Sequence, residues 1–363
     1  MSDLTDLLSK LTSLAALSGR EDRMIDFMRS AMKPLSDELL VDRLGNVIST
    51  VKGSEPNAPS VMVHAHMDEL GLIVKRIEEN GFLRFERVGG VELKTLLAKE
   101  VQIDIGDGFV DGFVGSKAHH LSLVEEKFVV PQIKEMYIDI GASSREEALG
   151  MGVQIGQMIS QKPNFHVMNN RYVVSKALDN RVGCLIALKL LERLKKNRPK
   201  STIHVCGTVQ EEFSIRGATP AAYRLNPDMA ICLDITVACD TPDLKGEQEV
   251  ALEKGPAVKL FDFHGRGELA GLIPNPKLTA FIEKAAQKEQ IPIQREVTLG
   301  VLTEPAFAQL VREGIPSAGI SVPTRYTHTP IETCSISDIE RSMQLMESVV
   351  LSIDKSLNLA RGS

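Results

Sequence analysis

The sequence has 363 residues, of which 43% are hydrophobic and 25% charged, as in a globular protein of about two domains. Its formal net charge of −6, without a long basic run, argues against nucleic-acid binding, and no apolar run is long enough to span a membrane. Five cysteines without CxxC spacing, and an amphipathic rather than purely apolar start, predict a cytoplasmic protein whose thiols are reduced packing residues.

The predicted elements change character twice along the chain. Residues 4–60 predict two helices followed by strand-like segments. Residues 71–162 are rich in glycine and in short strands, with a hairpin signal at Asn80-Gly81. From residue 163 onward, short apolar strands alternate with amphipathic helices again. This order predicts an α/β protein that is interrupted by an inserted β domain resembling a small barrel or sandwich.

The stretch VMVHAHMDELG, at residues 61–71, leads from an apolar strand into two histidines and an aspartate. Side chains alternate along a strand, so His64, His66 and Asp68 share one face if the strand continues that far. By itself this stretch favours packing histidines beside a turn aspartate. A functional site therefore needs support from the rest of the chain.

That support comes from the residues that follow the predicted buried strands. Five successive strands end at an acidic or imidazole side chain, and these are, in chain order, His66 with Asp68, Asp179, Glu211 with Glu212, Asp234, and His328. Ligands of open α/β sheets bind beyond the carboxyl ends of the strands. Each residue also has an ordinary explanation, such as a helix cap for Asp179 or a surface position for His328. The repeated position at strand ends favours a common site.

Two imidazoles and three carboxylates are ligands that suit zinc, cobalt or manganese. Five protein ligands are too many for one catalytic zinc, but they fit two ions about 3.5–4 Å apart that share a bridging carboxylate. Adjacent side chains of an extended segment point apart, so one of Glu211 and Glu212 is predicted to bind metal and the other to act as general base. The set predicts metal-assisted hydrolysis.

Five motifs in this order resemble those of the tetrahedral aminopeptidase family of dinuclear metallo-exopeptidases. They are HAHMDELG, SKALDNRVG, VQEEFSIRGA, CLDIT and RYTHTPIE. That family includes glutamyl, lysyl and deblocking aminopeptidases and some proteins once labelled endoglucanases. The resemblance covers nearly the whole chain, including an early SGRED and the β-rich insertion. It implies a catalytic domain with a metallopeptidase-type mixed sheet flanked by helices, at residues 1–68 and 163–363, and an inserted barrel-like dimerisation domain at 69–162.

The resemblance also implies a role for each metal ligand. His66 and Asp234 are expected to hold one ion, Glu212 and His328 the other, and Asp179 to bridge the two. We therefore expect two divalent ions per subunit, with zinc or cobalt favoured and manganese as a further candidate.

The remaining predicted site residues act around the ions. Glu211 resembles the general base, and Asp68 resembles the acidic partner that orients His66. His64 has no family role and is left as a packing or supporting histidine. Glu304 and Arg325 are predicted to contact substrate.

One element departs from the family pattern. The stretch GVLTEPAFAQL has Thr303-Glu304-Pro305 where the family's Gly-Thr-Asp-Ala element has Thr-Asp-Ala. Glu304 keeps a carboxylate that is one methylene longer, and Pro305 stiffens the backbone after it. Because the metal ligands are unchanged, we expect hydrolysis to be retained and substrate preference to be affected.

The predicted function is a metal-dependent aminopeptidase that removes N-terminal residues from short peptides by attack of a metal-bridging water. The resemblance implies a homo-oligomer, built from dimers and extending in some relatives to a hollow dodecamer. Three alternatives stay open: a metallo-amidase or deacylase acting on other substrates, a glycoside hydrolase, and a non-catalytic protein that kept the fold. A glycoside hydrolase needs two carboxylates and no metal, which leaves the histidines unexplained.

Overall fold

The computed structural model describes residues 3–265, 267 and 269–362. The α-helices are α1 (Asp3–Ser13), α2 (Asp22–Met32), α3 (Arg145–Gly150), α4 (Leu178–Lys196), α5 (Ala218–Leu225), α6 (Pro276–Lys288), α7 (Pro305–Ala308) and α8 (Ile336–Ser352). The strands are β1 (Glu38–Val41), β2 (Val47–Val51), β3 (Val61–His66), β4 (Gly71–Ile77), β5 (Leu83–Val88), β6 (Glu100–Asp104), β7 (Phe109–Val114), β8 (Ile138–Asp139), β9 (Met158–Gln161), β10 (His166–Met168), β11 (Tyr172–Ser175), β12 (Ile203–Thr208), β13 (Met229–Val237), β14 (Ala257–Phe263), β15 (Gly271–Leu272), β16 (Gln294–Leu299), β17 (Ser317–Arg325) and β18 (Glu332–Ser335).

The main sheet has twelve strands, nine of which lie in the order β1-β2-β12-β3-β13-β17-β18-β11-β10. At its centre β12, β3, β13 and β17 run parallel to one another, while the outer strands pair antiparallel. The strands β14, β15 and β16 extend the sheet from β17 as a side branch. The sheet is therefore mixed, and its parallel strands end at one common edge.

Strand β3 shows how the sequence positions that edge. Every residue of β3 is buried, because helices cover both faces of the sheet. Val61, Val63 and Ala65 pack in the larger core with α4, whereas Met62 packs in a smaller core with α5 and α7. A strand covered on both faces is expected to be apolar throughout. Its two histidines are therefore exceptional for their position.

The inserted segment forms a second sheet, in which β4-β5-β8-β7-β6-β9 close into an antiparallel barrel with its own apolar core. The hairpin predicted at Asn80-Gly81 joins β4 to β5. Gly81 has a φ of +87°, and a Cβ there would lie 2.4 Å from the carbonyl oxygen of Ala142, so glycine is required. The predicted fold class, a mixed α/β sheet with an inserted β-barrel, is confirmed.

Two further expectations concern composition. Within the described residues, the helices are all too short or too polar to cross a bilayer. The cysteines, at positions 184, 206, 232, 239 and 334, are buried and unpaired, in agreement with the prediction of packing thiols.

Candidate metal centre

The predicted site residues meet at the common edge of the parallel strands. His66 ends β3, the Glu211-Glu212 doublet follows β12, and His328 follows β17. Asp234 lies inside β13, before the end of that strand at Val237, and not after it as the sequence pattern predicted. The longer strand carries the carboxylate to the same height as His66.

Asp179 reaches the edge through an irregular start of α4. The N-cap position of this helix is Ala177, and Asp179 and Asn180 have non-helical backbone angles. The Asn180 side chain donates to the carbonyl of Leu233 at 2.8 Å and accepts from the amide of Gly183 at 2.9 Å. Asp179 is therefore held facing the sheet edge, and the alternative that it only caps the helix is wrong.

Two groups of potential metal ligands form around Asp179. In the first group, His66 Nε2 lies 3.1 Å from Asp179 Oδ1 and 3.8 Å from Asp234 Oδ1. In the second, His328 Nε2 lies 3.5 Å from Asp179 Oδ2 and 3.8 Å from Glu212 Oε2. Asp179 thus offers one oxygen to each group, as a bridging carboxylate does.

The spacing of these atoms fits tetrahedral metal coordination. Ligand atoms bound at about 2.0–2.2 Å from a tetrahedral zinc lie roughly 3.4 Å from each other. The four separations within the two groups scatter around that value. Each group supplies three protein ligands, which is the number that catalytic zinc sites use.

The buried negative charge of the site also favours the binding of cations. Burial, followed by repulsion from Asp179, raises the pKa of Glu212 to about 8 and that of Asp234 to about 7, against the opposing effect of the nearby histidines. Burial disfavours charged His66, but Glu211 and Asp179 outweigh it and raise its pKa well above the usual value. A buried excess of carboxylates is stabilised by positive charge, so the donor set suits divalent ions.

Asp68 lies beside His66 and holds the glutamate doublet. Its Oδ1 accepts the backbone N–H of Glu211 at 2.9 Å and lies 3.4 Å from His66 Nδ1. Its Oδ2 accepts the backbone N–H of Glu212 at 3.0 Å and the Ser18 hydroxyl at 2.5 Å. The sequence indicated the histidine contact; the contacts with the doublet come from the fold.

Two supporting carboxylates were missed at the sequence level. Glu332 accepts the backbone N–H of Asp179 at 3.0 Å and that of His328 at 2.8 Å. Glu21 accepts the backbone N–H of Gln210, which precedes the doublet, at 3.0 Å. Both residues lie in the quoted stretches SGRED and RYTHTPIE, whose other residues are mostly polar, so no local pattern sets these two acids apart from solvent-exposed ones.

The structure corrects the prediction for Glu304. This side chain has no accessible surface and accepts a hydrogen bond from His64, so it cannot touch a bound peptide. The predicted substrate contact of Glu304 is therefore wrong. Arg325 donates to both carboxylate oxygens of Asp240 at 2.7 Å and is not among the described lining residues of the cleft, so its substrate contact stays a prediction.

A third group of potential ligands lies beneath the other two, formed by His64, Cys232 and Glu304. Here the imidazole and the carboxylate bond directly to each other at 2.7 Å, and burial raises the pKa of the thiol well above its usual value. The group is therefore a hydrogen-bonded pair beside a neutral packing thiol.

The two upper groups open into a cleft of about 490 Å³. The metal-ligand groups and Glu211 form one part of its lining. Another part is the segment 300–303, which we call the cleft wall, and it contributes Val301, Leu302 and Thr303. Pockets of this size hold small molecules or the end of a peptide.

The chain is similar to known proteins along most of its length. Residues 45–345 match the family described as M42 glutamyl aminopeptidase. The lysyl aminopeptidase of Pyrococcus furiosus is 34% identical over 95% of this chain and 96% of its own length. The structure of aminopeptidase APDkam598 from Desulfurococcus kamchatkensis is 36% identical, with a TM-score of 0.92, over 97% of this chain and 96% of that chain. The Pyrococcus horikoshii TET1 peptidase, described as assembling into a tetrahedron or an octahedral shell, is 30% identical, with a TM-score of 0.86, over 97% of this chain and all (100%) of that chain.

Proposed function

Since the chain belongs to the M42 glutamyl aminopeptidase family, we propose that it removes N-terminal residues from short peptides with two divalent metal ions held at the sheet edge. The family makes the chain a metal-dependent aminopeptidase. The number of ions and the role of each residue are our proposal. The observation that carries it is the position of Asp179, which offers one carboxylate oxygen to each of two three-ligand groups.

In this proposal, His66 and Asp234 would hold one ion, Glu212 and His328 would hold the other, and Asp179 would offer one carboxylate oxygen to each. Bound there, the ions would supply Lewis acidity toward the scissile carbonyl and would lower the pKa of a bound water. The cleft, of about 490 Å³, is large enough to take the first residue of a peptide.

Glu211 is the residue we assign to proton transfer. Its Oε2 lies 3.9 Å from His66 Nε2, at the border of the first group, and it belongs to neither three-ligand group. Burial and the surrounding carboxylates raise its pKa well above the usual value, although His66 opposes them. A carboxylate of raised pKa can take a proton from water and return it to the leaving amine.

Metal removal tests the proposal directly. Dialysis against a chelator should abolish hydrolysis of a panel of aminoacyl-arylamides, because no protein group replaces the Lewis acid. Titration with zinc, cobalt or manganese should restore hydrolysis and saturate at two equivalents per chain. Saturation at one equivalent contradicts the paired site, and activity on a sugar polymer that survives chelation supports a glycoside hydrolase instead.

We also propose that the chain forms a homo-oligomer through the insertion. The segment 121–130 between β7 and β8 exposes several apolar side chains, among them Phe128 at 90%, Leu121 at 74% and Val124 at 70%. Contiguous exposed apolar surface of this kind marks an interaction site. Because the Pyrococcus horikoshii TET1 peptidase is described as assembling into shells, we propose that a second copy of this chain covers the surface.

Replacing Phe128 with aspartate should therefore reduce the mass of the assembly, because a buried charge at the interface costs far more than the lost contact. Light scattering after size exclusion measures the mass. Leu310, which is 71% exposed and lies in the main domain, supplies the matched control as Leu310→Asp. An unchanged mass for Phe128→Asp contradicts the assignment of this surface.

A further inference from the structure

His64 and Glu304 form a buried pair directly beneath the metal centre. His64 Nδ1 lies 2.7 Å from Glu304 Oε2, across 240 residues of sequence, and neither side chain has accessible surface. His64 stands two positions before His66 on β3, so both imidazoles project from the same face of the strand. The pair therefore joins the strand that carries a metal ligand to a distant part of the chain.

Glu304 is the strong hydrogen-bond partner of His64 at this depth. In register with His64 lie Cys206 on β12 and Cys232 on β13. Burial raises the pKa of both thiols, so they stay neutral, and a neutral thiol is a weak hydrogen-bonding group. The other ring nitrogen, His64 Nε2, is buried without a partner.

The position of Glu304 in the chain links the buried pair to the lining of the cleft. Glu304 follows immediately after the cleft wall, residues 300–303, and precedes α7. Thr303 donates its hydroxyl to Asp262 Oδ2 at 2.6 Å, which anchors the wall to β14. The bond from Glu304 to His64 is a second anchor, and it ties the same wall to β3. The wall is thus tied by side-chain hydrogen bonds to two strands of the main sheet, β14 and β3.

We propose that the His64–Glu304 pair positions the cleft wall and thereby determines which N-terminal side chains the site accepts. This inference rests on the proposed aminopeptidase function. Because both side chains are inaccessible, they act on substrate only through Val301, Leu302 and Thr303. These side chains offer aliphatic surface and one methyl, so the wall suits uncharged side chains in the substrate.

The hydrogen bond between His64 and Glu304 needs the full length of the glutamate side chain. A carboxylate at 2.7 Å from the imidazole moves out of hydrogen-bond range when one methylene is removed, unless the backbone of the wall moves inward. Movement of a binding segment by about 1 Å can change rates by about 100-fold. Glu304→Asp therefore tests position with the charge kept.

The experiment measures kcat and KM of Glu304→Asp, His64→Ala and His64→Asn on a panel of aminoacyl-arylamides, together with metal content. Glu304→Asp and His64→Ala should change the preference between aliphatic and charged substrates by about 10-fold, mainly through KM, at wild-type metal content. His64→Asn keeps an amide N–H near the place of Nδ1, so it should stay within about 3-fold of wild type. Cys206→Ala, at the same register and depth, is the matched control and should leave the preference unchanged.

Hydrogen–deuterium exchange gives a readout that does not depend on activity. The amides of Ala306, Phe307 and Ala308 bond to the carbonyls of Thr303 and Glu304, so their exchange reports how firmly this segment is held. Exchange of residues 300–309 should accelerate in Glu304→Asp and His64→Ala but not in Cys206→Ala. Unchanged exchange and preference, with only a lower melting temperature, would overturn the proposal. If the wild type hydrolyses no arylamide, the proposed function fails, and exchange alone decides whether the pair anchors the wall.

Discussion

Replacing Glu211 with glutamine should lower kcat by about 10²–10⁴-fold and leave the metal content at the wild-type level. The carboxylate is assigned to proton transfer, and glutamine has the same shape without a titratable group. Glu211 lies in neither three-ligand group, so its loss removes no ligand from an ion. Its backbone N–H still donates to Asp68, which keeps the doublet in place.

The neighbouring glutamate provides the matched control for this experiment. Glu212→Gln weakens a ligand of the second group, so it should lower the metal content as well as turnover. Metal analysis of dialysed protein and steady-state kinetics separate the two outcomes. Near-normal turnover of Glu211→Gln would remove it from the mechanism, and loss of metal in that variant would make it a ligand.

The arrangement of the metal ligands could be predicted because it follows from a general property of parallel sheets. Each ligand lies at or near a strand end, and parallel strands present those ends at one edge. Even so, the sequence pattern placed Asp234 after the end of its strand, because the pattern does not show that β13 continues to Val237. The residues of the insertion predicted a small barrel or sandwich without deciding between them, since closure depends on the pairing of β4 with β9 across the whole segment.

The supporting carboxylates could not be predicted in the same way. Asp68 accepts the backbone N–H groups of Glu211 and Glu212, which are 143 and 144 residues away in sequence. Glu304 accepts a hydrogen bond from His64, which is 240 residues away. The sequence around an acidic residue does not show whether its carboxylate faces substrate or a buried imidazole. Only the three-dimensional structure shows that Glu304 is inaccessible. For this reason the departure Thr303-Glu304-Pro305 was assigned to direct substrate contact and not to the support of the cleft wall.

Replacing Asp179 should have the largest effect on metal binding, because it is the residue shared by both groups. Asp179→Ala leaves His66 with Asp234 on one side and Glu212 with His328 on the other. Two protein ligands are one fewer than catalytic zinc sites use. We expect less than one retained equivalent of zinc after dialysis and a fall in kcat/KM beyond about 100-fold, the upper limit for loss of an orienting partner.

Asp234→Ala is the matched control, since it removes a ligand from the first group alone and should leave the second ion in place. Thermal unfolding with and without zinc adds an independent measurement, because an ion that binds the folded chain stabilises it by mass action. In metal-free protein, Asp179→Ala relieves repulsion on Glu212 and Asp234 but also removes the acidic partner of His66 and His328, so the melting temperature of each metal-free variant is the baseline for its own comparison. Zinc should raise the melting temperature of wild type strongly, of Asp234→Ala partly, and of Asp179→Ala hardly at all. An Asp179→Ala protein that retains two ions would show that the two groups do not share this carboxylate, and the paired site would then have to be abandoned.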